Sequence, residues 1–68
     1  MPQAIRLRPS EYSVLRLRAL GLTNKEVAHR LGLSEATTKN HMFAIYKSLG
    51  VTNITSALLS VGWLRPPE

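Results

Sequence analysis

The stretch Gly21-Leu22-Thr23-Asn24-Lys25-Glu26-Val27-Ala28-His29-Arg30-Leu31-Gly32-Leu33-Ser34-Glu35-Ala36-Thr37-Thr38-Lys39-Asn40-His41 holds two helix starts with a helix stop between them. Thr23 and Glu26 have the T-x-x-E spacing of a capping box, in which each side chain satisfies the other residue's unpaired backbone N–H. Val27, Ala28 and Leu31 then share one face of a helix predicted over Asn24 to Leu31. Gly32 stands where a helix closes through a left-handed residue. Ser34 is the next cap. From it a helix is predicted over Glu35 to Leu49, with Thr38, Met42, Ile45 and Leu49 at i, i+4, i+7 and i+11 facing inward. Ala36, Lys39, Asn40, Phe43 and Lys47 fall toward the opposite side.

Working outward, a first helix is predicted over Pro9 to Leu20. Pro9 suits the first helical position, where its missing N–H is no loss. Glu11 complements the positive end of the helix dipole, and Val14, Leu15 and Ala19 lie roughly on one face. Downstream, Asn53 caps a helix predicted over Ile54 to Trp63, which Pro66 and Pro67 prevent from continuing. Alternation is absent, so no strand is expected. The fold class is all-α: a compact four-helix domain whose middle pair, joined by Gly-Leu-Ser, has the layout of a helix-turn-helix. The domain is expected over residues 7–64, with an N-terminal extension at 1–6 and a C-terminal tail at 65–68.

Composition narrows the classes of function. A chain of 68 residues is at most one domain, and its core can supply only about 3–5 kcal/mol. With no cysteine, neither a disulfide framework nor a thiolate metal site reinforces it. Nine Lys and Arg against four Asp and Glu give a net charge of +5, which favours a polyanionic partner, nucleic acid or an anionic membrane. The longest apolar stretch, Ala57 to Leu64, is broken by Ser60 and Gly62 and falls short of the ~20 residues a span needs. No continuous apolar core of a signal peptide is present, so the expected location is cytoplasmic. His29 and His41 are the only histidines, and no metal site or cofactor is expected. Ser34, engaged as a helix cap, does not form a nucleophile triad with Glu35 and His41, and no enzyme is expected.

Leu7-Arg8-Pro9-Ser10-Glu11 with Val14-Leu15, Asn24-Lys25-Glu26-Val27-Ala28, and Ser34-Glu35-Ala36-Thr37-Thr38-Lys39-Asn40-His41, followed by Ile45, Lys47, Leu49-Gly50-Val51 and Asn53, resemble a LuxR-type (GerE or FixJ/NarL-type) domain. The resemblance covers Leu7 to Leu59. It implies sequence-specific binding of double-stranded DNA in transcriptional regulation, with the third helix in the major groove and the fourth helix in a weak two-fold homodimer contact. Departures occur at Arg8, where a Thr cap is usual, and at Arg18, Leu20, Thr38 and Ile54. They bear on the dimer and partner surfaces rather than on the fold. A protein-interaction module that binds RNA polymerase or another regulator is the alternative. A region-4-like sigma-factor domain shares the helix-turn-helix but lacks the pairing of Lys39 with His41.

Within that frame Lys39 is placed to donate to guanine O6 and N7, and Asn40 to pair with adenine N6 and N7. Phe43, one turn on, either contacts a thymine methyl or flanks the core. Lys25, Ser34, Thr37, His41 and Lys47 are the phosphate-contact candidates, with His41 alternatively bonding within the domain. Ile54, Leu58 and Leu59 are the candidates for the dimer or partner surface. Trp63 and Leu64 are expected to cap the core against the first helix.

Overall fold

The computed structural model describes residues 7–63. Within them the chain forms α1 (Pro9–Ala19), α2 (Asn24–Leu31), α3 (Glu35–Leu49) and α4 (Ile54–Ser60), in that order. α3 packs against each of the other helices, and α1 also rests on α2. The expected extension at 1–6 and tail at 65–68, and with them Leu64, Pro66 and Pro67, lie outside the described residues.

The core is built from Val14 and Leu15 of α1, Val27 of α2, Met42 and Ile45 of α3 and Ala57 of α4. Burying each larger member contributes about 1.5–3 kcal/mol. Thr38 is also fully buried. Its hydroxyl donates to the Ser34 carbonyl at 3.1 Å, and its own N–H reaches the same oxygen at 3.0 Å. The hydroxyl in the core is thereby satisfied inside its own helix rather than left at the core edge.

α2 and α3 begin and end where the sequence places them, and the flanking helices correct the reading. α1 stops at Ala19, with Leu20 as its cap, and Ala19 is exposed rather than sharing the face of Val14 and Leu15. Arg8 offers no side-chain cap. An arginine side chain carries no acceptor, so the buried Glu11 reaches back instead, its carboxylate accepting from the Arg8 N–H at 3.1 Å. α4 is shorter than expected, ending at Ser60 instead of Trp63. Gly62, at φ +78°, turns the chain so that Trp63 N–H donates to Leu58 O at 2.9 Å and Gly62 N–H to Leu59 O at 3.1 Å. That pair of bonds is a Schellman closure. Trp63 meets Tyr12 of α1 edge-on, with ring centroids 5.5 Å apart.

Candidate nucleic-acid interface

The start of α2 is fixed by the reciprocal bonds of Thr23 and Glu26: Thr23 N–H donates to Glu26 Oε1 at 2.9 Å, and Glu26 N–H to Thr23 Oγ1 at 3.2 Å. Hydrogen bonding from the Thr23 backbone N–H, the largest cause, and from the Thr23 side chain holds the Glu26 carboxyl below its usual value of 4.5. Lys25 is exposed in this first turn. A cation there sits at the positive end of the helix dipole, a local penalty of about 0.3–1 kcal/mol that an external anion would offset.

Two further bonds hold the turns on either side of α2. Arg18 donates through Nη1 to the Leu22 carbonyl at 2.6 Å, which ties the end of α1 to the residue just before the capping box. Periodicity did not reveal that role; the available signal was a long donor four residues ahead of a carbonyl beside Gly21. Between α2 and α3, Gly32 lies at φ +69°, and Leu33 N–H donates to Ala28 O at 2.8 Å. A side chain is strained in that left-handed region, which glycine enters freely. The two helices are therefore held at a fixed crossing.

Ser34 opens α3. Its Oγ accepts from Thr37 N–H at 3.0 Å and donates to Thr37 Oγ1 at 2.8 Å. Ser34 and Thr37 are both exposed, and His41 is half-buried.

The outward side of α3 carries Lys39, Asn40, Phe43 and Lys47, all exposed. At about 100° per residue, these positions fall within a sector of about 100°. Phe43 is 66% exposed and is not among the apolar residues packed against the core. The core-flanking alternative for Phe43 is thus removed.

The three α4 candidates separate. Ile54 and Leu58 are half-buried and packed against the core, while Leu59 is exposed. Leu20, at the end of α1, is 70% exposed. Among the described residues no group of His, Cys, Asp and Glu is placed to hold a metal ion.

Two helices joined by a glycine turn, the second presenting a polar and basic face, define a helix-turn-helix of the nucleic-acid-binding class. The family model described as bacterial regulatory proteins of the luxR family matches residues 6–61, and the chain belongs to that family. It is a DNA-binding domain of transcriptional regulation. The chain is 36% identical over 64 residues to the probable helix-turn-helix transcriptional regulator GfsR of Streptomyces halstedii, spanning 94% of this chain and 26% of that protein. It is 38% identical over 64 residues to the DNA-binding transcriptional activator DevR/DosR of Mycobacterium tuberculosis (strain ATCC 25618 / H37Rv), spanning 90% of this chain and 30% of that protein. The crystal structure of ChrA, a response regulator of a heme-sensing two-component system, superposes with a TM-score of 0.80 at 37% identity, over 91% of this chain and 30% of that one. The chain thus spans between a quarter and a third of the length of these relatives.

Proposed function

We propose that the chain binds specific double-stranded DNA sequences with α3 in the major groove, Lys39, Asn40 and Phe43 meeting base edges. Lys25, Ser34, Thr37, His41 and Lys47 hold the phosphates on either side. The observation that carries this reading is the exposed sector of α3, a basic and amide-bearing face on the helix that the other three support. Lys and Asn are the side chains whose donors and acceptors match guanine and adenine edges in that groove. The role is a binding role, without catalysis, carried out in the cytoplasm. Among the described residues no helix is long and apolar enough to cross a membrane.

Two copies bind as a weak homodimer through α4. A second reading, contact with RNA polymerase or another regulator, is favoured by Leu20, a leucine just past the end of α1 that is 70% exposed.

A fluorescence-anisotropy titration against duplex DNA at several salt concentrations tests the first reading. Four phosphates neutralised per monomer give a slope of log K against log salt of roughly −3 to −4. A flat salt response removes the electrostatic basis for DNA binding and favours the second reading.

A further inference from the structure

We infer that Phe43 makes this domain a reader of the C5-methyl group of a pyrimidine in the major groove. The inference rests on the proposed placement of α3 in that groove and names part of what it recognises there. Phe43 is one of the most exposed large apolar side chains of the described residues, at 66%, on a face that otherwise carries Ala36, Lys39, Asn40 and Lys47. It contributes nothing to the core cluster, so folding does not account for a phenyl ring at this position. On the same face, Asn40 lies three residues before it and Lys39 four. At 1.5 Å of rise per residue, the ring stands about 4.5 Å further along the helix axis than Asn40. Successive bases along a strand are about 3.4 Å apart. Where Asn40 meets one base pair, the ring therefore reaches about one base pair beyond it.

The chemistry at that step is restricted. A phenyl ring neither donates nor accepts a hydrogen bond, so it gains nothing from the amino, carbonyl or N7 groups of the groove. Apolar contact is what it offers, and the apolar group displayed on the major-groove edge is the C5-methyl of thymine. 5-Methylcytosine carries the same methyl on the same ring carbon. Both sources satisfy the ring, whereas uracil and unmethylated cytosine do not. Lys39 and Asn40 select hydrogen-bonding edges, and Phe43 adds a methyl requirement at a neighbouring pair.

The test begins with a preferred duplex selected from a random pool by the intact 68-residue chain. Each dT of the selected site is replaced singly by dU, which removes the methyl alone, and each dC by 5-methyl-dC. Affinities are measured for the wild-type chain, Phe43→Ala and Phe43→Leu. Wild type is expected to lose about four-fold at one dU position, the worth of burying a single methyl, or to gain a similar factor at one 5-methyl-dC position. The first result identifies thymine as the source and the second 5-methylcytosine. Phe43→Ala abolishes that difference, and Phe43→Leu, still apolar, retains part of it. Both variants change an exposed ring, so helix content by circular dichroism stays at the wild-type level. A preferred duplex that shows no methyl effect, or an effect intact in Phe43→Ala, overturns this inference alone. If no preferred duplex emerges from the selection, sequence-specific binding itself is overturned, and this inference with it.

Discussion

Lys25 and Asn40 are both exposed polar residues near a helix start, yet the proposed roles of the two differ because of what each can distinguish. A phosphate looks the same at every base pair, so a cation directed at one adds affinity without discrimination. Lys25→Ala is expected to weaken all duplexes alike and to reduce the salt slope by about one. The carboxamide of Asn40 pairs a donor and an acceptor, which matches adenine and mismatches the other bases. Asn40→Ala is expected to remove about 1–3 kcal/mol of discrimination at one or two base positions, with a smaller effect on random DNA. Competition titrations with cognate and random duplexes read both variants, and melting curves confirm that the fold is intact. Equal loss on cognate and random DNA in Asn40→Ala would mean that the base-reading face has been misassigned. Arg18 belongs to a separate group: its guanidinium Nη1 donates to the Leu22 carbonyl, so this basic residue braces the α1–α2 turn.

At the level of the helices, α2 rests on a titratable bond. Glu26 accepts from the Thr23 backbone N–H, which stabilises its charged form and lowers its pKa in the folded state. A group with a depressed folded pKa contributes stability above its unfolded value, and the contribution is lost as pH falls through the folded one. Glu26→Gln keeps an acceptor but does not titrate, and Glu11 and Glu35 are common to both proteins. The Tm difference between wild type and Glu26→Gln is therefore expected to shift toward the variant between about pH 5 and pH 3. A difference that is constant with pH would show that the bond is not present in solution. Gly32→Ala, at φ +69°, forces a side chain into the left-handed region, with an expected loss of about 1–2 kcal/mol in denaturant titrations. These start and stop devices act within a few residues, and that is why α2 and α3 were legible from end to end in the sequence. α4 was legible at Asn53, whose side chain accepts from Ser56 N–H at 2.8 Å. Its end was misplaced because apolar residues continue to Trp63, while the chain turns at Gly62. The α3 face was legible because about three turns of inward positions, Thr38 to Leu49, leave the outward ones defined. Which of Ile54, Leu58 and Leu59 is free was not, because the periodicity of a helix under two turns does not set how it is rotated against α3.

For the whole molecule, the question is how a domain this small reaches adequate specificity, and the proposed answer is a second copy. The exposed surface of α4 offers Leu59 as its large apolar side chain, since Ile54 and Leu58 already pack against the core. An interface centred on one leucine of a seven-residue helix falls well below the roughly 1,000 Å² a stable complex buries. The free chain is therefore expected to sediment as a monomer, with pairing supplied by the DNA. Two α3 helices related by a two-fold axis reach successive major grooves on one face when half-sites lie about 10–10.5 base pairs apart. Cooperative binding is expected at that spacing, and an insertion of about five base pairs, half a helical turn, should abolish it. Leu59→Asp places two like charges at the centre of the contact. It should remove cooperativity in a gel-shift titration while leaving affinity for a single half-site and the melting temperature near wild type. Ile54→Asp is the contrasting variant: it puts a charge beside the core and should lower the melting temperature as well as cooperativity. If Leu59→Asp binds paired half-sites with undiminished cooperativity, α4 is not the contact between copies. If paired half-sites bind no more cooperatively than isolated ones in wild type, the domain acts singly, and its specificity must come from the three reading side chains of α3 alone.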